Sequence, residues 1–229
     1  SVANLFIKDW LQTKYGGVIN RSIHEATGKE LPFEIVFKNG ELSKEETVVH
    51  QQAGSLLKRK PLMISNLNSE YTFENFVVGE ENRALYEVAR DVTRNPGKYN
   101  PFFVHGGVGL GKTHLLQAIA QETMTNFPDK KVLYITSEQF MNDMIQSIKE
   151  NNIQKFRDHY RKRSDVLLID DIQFLIGKKG VQTEFFHSFN ELHDAGKQLI
   201  ICSDRNPEEL DNFHSRLISR FQMGMLMTI

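Results

Sequence analysis

The chain has 229 residues, a formal net charge of -1, 40% hydrophobic and 25% charged side chains. That balance excludes a disordered or fibrous chain, and the length allows one substantial core plus a smaller appendage. Near-neutral charge also excludes a global positive field, so any attraction to nucleic acid has to come from local basic patches. The single cysteine, Cys202 in "QLIICS", cannot form an internal disulfide and fits a reducing, cytoplasmic setting. No apolar stretch approaches the roughly 18 residues that span a bilayer, and no signal segment opens the chain. The first residue is Ser1 rather than Met and the last run, "FQMGMLMTI", is strand-like, so a piece of a longer protein is expected.

In chain order, residues 1–37 read as a small N-terminal unit. Leu5, Phe6, Trp10 and Leu11 recur at helical spacing, Gly16-Gly17 interrupts, Val18 to Ala26 resumes, and "FEIVF" alternates as a strand does. From residue 38 to 69 the periodicity fails in polar sequence of mixed charge, which predicts a linker. From residue 70 to 229 strands and helices alternate. Strands are expected at Pro101 to His105, Lys131 to Thr136, Asp165 to Asp170 and Gln198 to Ser203, with a helix at Glu80 to Arg94. The fold class is therefore α/β, a parallel sheet flanked by helices with ligands at the carboxyl ends of its strands.

Gly106, Gly111, Lys112 and Thr113 satisfy G-x-x-x-x-G-K-[ST] between the strand "PFFVH" and the amphipathic "THLLQAIAQETM". Glycines at this spacing let backbone N–H groups converge on phosphate oxygens at a helix N-terminus. Lys112 then reaches the β- and γ-phosphates and Thr113 binds Mg²⁺. "DVLLIDD" follows about 60 residues after the loop begins, a strand delivering Asp170 to the metal and Asp171 to an attacking water. An acidic helix cap is the plainer reading of those two carboxylates. "CSDRNP" puts Ser203 and Asp204 beside the phosphates if its strand is adjacent, or else forms a turn before Pro207. Arg216 and Arg220 share a helix face, either as a solvated, salt-bridged pair or as cations for transferring phosphate.

Ser137 to Ser164 is too long for one crossover helix and reads as two. The second, "IQKFRDHYRKR", mixes Lys155, Arg157, Arg161, Lys162 and Arg163 with Phe156 and Tyr160. It suits a groove for a nucleic-acid backbone, and equally a solvated helix whose aromatics face the core. The eight histidines show no metal-binding spacing.

Taken in order, "YTFENFVVGEENRAL", "NPFFVHGGVGLGKTHLLQAIA", "LLIDDIQFLIGKKGVQTEFFHSFNELHDAGKQLIICSDR" and "RLISRFQMGMLMTI" closely resemble the ATPase domain of the bacterial chromosomal replication initiators, the DnaA family of AAA+ proteins. Residues 1–37 resemble the end of that family's N-terminal interaction domain and 38–69 its variable linker. By position, the resemblance implies that Val78 and Asn82 line the adenine pocket. It implies likewise that Gly107, Val108, Gly109, Leu110, Gly111, Lys112, Thr113 and His114 surround the phosphates of ATP. Asp170 becomes the Mg²⁺ aspartate with Thr113, Asp171 the water-orienting acid and Asp204 the sensor 1 residue. Arg220 becomes an arginine finger toward the next subunit, supported by Arg216. Ile145 and Lys178 would face single-stranded DNA, although Gly180 stands where some family members place an arginine.

The resemblance further implies a slow ATPase in which ATP acts mainly as a switch for filament assembly at a replication origin. Implied partners are single-stranded origin DNA, further copies of the chain, and acidic phospholipid. A replicative helicase and regulators would join through the N-terminal domain, and duplex boxes through a C-terminal domain beyond residue 229. Two alternatives are an AAA+ helicase loader of the same branch and, from another class, a P-loop phosphotransferase.

Overall fold

The computed structural model describes residues 67–229 of the chain. The helices and strand expected in residues 1–37, and the linker expected from residue 38 as far as residue 66, lie outside the described residues.

Helix α1 (Arg83–Arg94) leads into β1 (Phe102–His105), α2 (Lys112–Asn126), β2 (Val132–Thr136) and α3 (Ser137–Lys149). A short α4 (Ile153–Arg157) runs on through one π turn (Asp158–Lys162) into β3 (Val166–Asp170). After a 3-10 turn (Ile172–Leu175) come α5 (Lys179–Asp194), β4 (Gln198–Ser203), α6 (Ser215–Gln222) and β5 (Met225–Thr228). The strands are short apolar runs flanked by turn residues, the pattern of strands buried on both faces.

All five strands pair in parallel, in the order β2-β3-β4-β1-β5. Because successive side chains on a strand point to opposite faces, the sheet divides the core in two. Phe102, Val104, Tyr134, Leu168, Ile200 and Cys202 pack under α1 and α2. Phe103, Ile135, Ile169 and Ile201 pack on the other face with Phe140, Phe185, Phe189 and Phe221 of α3, α5 and α6. Gly224 lets β5 reach β1, since a Cβ there would lie 2.0 Å from the Pro101 carbonyl oxygen.

The inserted pair of helices is held by ions as well as rings. Phe156 and Tyr160 are buried among Phe140 and Phe185, so the aromatics face the core. Arg157 grips Glu184 of α5 through two bonds of 2.9 and 3.0 Å, and Arg161 bonds both Glu184 and Glu191. Burial raises the Glu184 carboxyl, but the two guanidiniums outweigh it and hold the group below its ordinary 4.5. The folded state therefore binds fewer protons there than the unfolded chain. Its stabilisation is complete above about pH 4.5 and is lost as pH falls through the lowered folded value. Glu184→Gln is expected to lose about 2 kcal/mol at pH 7, the low side for a buried pair because Arg157 reaches solvent. Urea unfolding at pH 7 and pH 3.5 checks it: the variant's deficit should shrink at the lower pH.

Candidate functional site

Strand order puts the polar ends of β1, β4 and β3 side by side. His105 pairs with Ser203 in register, and the Gly106 N–H donates to the Ser203 carbonyl at 3.3 Å. Ser203 and Asp204 thus stand next to the glycine loop, as the adjacency of their strands requires.

The loop turns sharply into α2. Gly109 and Gly111 have φ of +83° and +96°, a region that L side chains rarely adopt. At Gly111 a Cβ would also press on the Phe76 ring at 3.3 Å. Lys112 folds over the loop, its Nζ donating to the carbonyls of Gly106 at 2.8 Å and Gly107 at 2.7 Å. Both are neutral acceptors, weaker partners for an ammonium than a phosphate oxygen. Val108 and Leu110 project outward, 91% and 51% exposed.

A strap from residue 67 to 76 lies along α2. The Thr72 carbonyl accepts from His114 Nε2 at 2.7 Å, and the His114 ring stacks on Tyr71 with centroids 4.9 Å apart. The side chain of His114 thus holds the strap. Asn82 shapes the neighbouring loop: its Nδ2 donates to the Val77 carbonyl and its Oδ1 accepts from the Gly79 N–H. Val77 and the half-exposed Val78 are left at the surface as apolar area.

Asp170 ends β3 fully buried, between two neighbouring strands. Tyr134 Oη of β2 donates to its Oδ2 at 2.9 Å, and Cys202 Sγ of β4 donates to its Oδ1. Burial, then the Asp170 charge, pushes the Cys202 thiol up, so it is a neutral donor and not a thiolate ligand. Asp171 has φ 56° and ψ 51°, a strained conformation for a residue with a Cβ. Ser137 Oγ donates to its carbonyl. Burial first and Asp170 second raise its carboxyl above the ordinary carboxylate value. Ligand atoms of Asp170, Asp171 and Cys202 lie within 4.8 Å of one another. Two hard carboxylates of like charge beside a neutral thiol suit Mg²⁺ and not a soft metal.

Gln173 joins two of the expected residues. Its Nε2 donates to Asp171 Oδ1 at 3.0 Å, and its Oε1 accepts from the Asp204 N–H at 3.3 Å. Asp204 itself is gripped by Arg205 through two bonds of 2.8 Å, which hold its carboxyl below the ordinary range. Tyr134, Cys202 and Gln173 carried no motif signal; strand adjacency alone reveals them.

Among the described residues neither Arg216 nor Arg220 has an ion pair, so they do not form the salt-bridged surface pair. Arg216 lies over the Phe186 ring at 4.4 Å and donates to Thr183 Oγ1. Arg220 extends along the surface to Met223 Sδ at 3.5 Å. Ile145 on α3 is 42% exposed. Lys178 is exposed at the start of α5, after the 3-10 turn against which α3 packs. A separate cleft of about 560 Å³ between α3 and α4 includes Asp143, Glu150, Asp158 and His159, without a phosphate cradle.

Comparison with known proteins agrees with this geometry. A family model described as the bacterial DnaA ATPase domain matches residues 67–228. A chromosomal replication initiator protein DnaA of Kosmotoga olearia is 67% identical over 229 residues, all of this chain and 51% of the relative. The chain thus spans about half the length of the curated relatives it matches. Domain III of the Thermotoga maritima replication initiation protein DnaA superposes with TM-score 0.71 at 59% identity, covering 72% of this chain and 69% of that one. A replication initiator DnaA bound to AMPPCP and single-stranded DNA superposes with TM-score 0.69 at 46% identity, covering 72% and 51%. With the glycine loop, the paired aspartates and the intervening strand in the places that sheet order requires, the chain belongs to the bacterial DnaA ATPase family.

Proposed function

We propose that the chain is the ATP-binding core of a cytoplasmic initiator of chromosomal replication, a slow ATPase in which ATP serves mainly as an assembly switch. The observation that carries it is the convergence of the glycine loop, Asp170, Asp171 and Asp204 at the ends of three adjacent strands. This arrangement has a phosphate cradle on one side and carboxylates on the other.

In this reading Gly107 to Gly111 and the first turn of α2 (Lys112, Thr113, His114) receive the phosphates, and Val78 lies against adenine. Asn82 contributes by folding the loop that carries Val78. Thr113 and Asp170 hold Mg²⁺, which when bound neutralises phosphate charge. Asp171, made more basic by its surroundings, takes a proton from water as the water oxygen bonds to the γ-phosphorus. The bond to the bridging oxygen breaks, leaving ADP and phosphate. Gln173 fixes the Asp171 carboxylate and Asp204 to one another. Arg220, which has no carboxylate partner among the described residues, offers its guanidinium to a neighbouring subunit's γ-phosphate, with Arg216 steadied beside it.

An AMPPCP- and single-stranded-DNA-bound relative supports ATP and DNA as ligands of this fold. We assign DNA contact to Ile145 and Lys178, both exposed and on neighbouring elements. Helicase, regulators and acidic phospholipid are partners of the whole protein in this proposal. Among the described residues no helix is long and apolar enough to cross a membrane.

Asp171→Asn is expected to slow ATP hydrolysis about 100-fold while changing nucleotide affinity by less than about 3-fold. Phosphate should be released to water, with none on an added acceptor. Unchanged hydrolysis would remove Asp171 from the chemistry, and phosphorylated acceptor would favour a phosphotransferase.

A further inference from the structure

The strap that enters the core is connected to the buried carboxylate of β3. The Asn68 N–H donates to Gln117 Oε1 of α2 at 2.8 Å. The Gln117 side chain also lies within interaction range of the Tyr134 hydroxyl, which donates to Asp170 Oδ2 at 2.9 Å. Gln117 and Tyr134 are only 6% and 9% exposed, so a broken link is not readily replaced by water. The strap is gripped along one face of α2: Gln121 Nε2 donates to the carbonyls of Asn68 and Tyr71, and His114 holds that of Thr72. Positions 114, 117 and 121 are spaced three and four apart, as one helix face demands.

We propose that Gln117 and Tyr134 are positioning residues for Asp170, so that seating of the strap and metal-dependent binding of nucleotide strengthen one another. Tyr134 on one side and Cys202 on the other each occupy a carboxylate oxygen. Both donors are neutral, so they fix the plane of the carboxylate without cancelling the charge that a divalent cation meets. Any coupling between strap and metal site is reciprocal by thermodynamic necessity. The proposal rests on the nucleotide reading above.

The test uses the 229-residue chain with Tyr134→Phe, Gln117→Met and the double variant. Affinity for AMPPCP is measured by calorimetry in Mg²⁺ and in EDTA, and hydrogen exchange is followed in residues 67–76. In the unmodified chain Mg²⁺ should strengthen binding, and Mg²⁺ with AMPPCP should slow exchange in the strap. Tyr134→Phe should cut the Mg²⁺-dependent gain about 10-fold, leave affinity in EDTA within about 2-fold and abolish the strap protection. Gln117→Met should act in the same direction, and the double variant should be no worse than Tyr134→Phe alone. Equal losses in Mg²⁺ and EDTA, additive losses, or strap protection that survives in both single variants would overturn the relay. Failure of the unmodified chain to bind AMPPCP overturns the nucleotide reading itself, a result distinct from binding that the variants leave untouched.

Discussion

Lys112→Ala lowers ATP affinity at least about 100-fold, the loss expected when a charge-assisted contact to polyphosphate is deleted inside a preformed cradle. The structure gives the reason for so large an effect. Lys112 is mostly buried, and its ammonium is held against the loop by the Gly106 and Gly107 carbonyls. Alanine removes the only cation of the loop 106–112 and leaves two carbonyls without a donor. Binding of a fluorescent ATP analogue, followed with thermal unfolding of the same sample, checks the result. Affinity retained within about 3-fold in a folded variant would refute the cradle.

Arg220→Ala removes ATP-dependent assembly of the full-length protein while leaving ATP binding by a single subunit within about 2-fold. A guanidinium reaching a phosphate across an interface is worth about 3 kcal/mol, or roughly 100-fold in association. Arg220 is suited to it because no carboxylate among the described residues neutralises it, and its neighbour is a methionine sulfur. Arg216→Ala should cost less, because its stacking on Phe186 serves its own subunit. Sedimentation in ATP and in ADP reads both variants. Assembly of Arg220→Ala in ATP equal to that of the unmodified protein would sink the switch.

Strands were legible in the sequence because each is a short apolar run, and the motif residues because each stands at a strand end. The Glu80 to Arg94 helix starts three residues later, at Arg83, because the Asn82 side chain is bonded to the turn before it. Strand order was not legible. Nothing local says that β4 lies between β1 and β3, yet that placement brings Cys202 against Asp170, 32 residues away in the chain. Tyr134 escaped for the same reason, being 36 residues from the carboxylate that it holds. The basic insertion shows the opposite trap. Counted locally it has one acid, Asp158, but Arg157 and Arg161 find Glu184, 27 and 23 residues onward, so much of its charge is internal cement.

Phe221, one residue past Arg220, packs against Phe103 of β1 with ring centroids 5.2 Å apart, and β5 then pairs along the same strand. The strand that carries the glycine loop is therefore bolted to the helix that carries Arg220. In the proposed assembly each subunit is a rigid ruler, with a phosphate socket at one mark and a plug at another. Stacking identical rulers repeats a single rotation and rise, so the pitch of the resulting spiral is written into an aromatic contact of the core. Shaving that contact to a smaller side chain would blur the spiral before it emptied the socket.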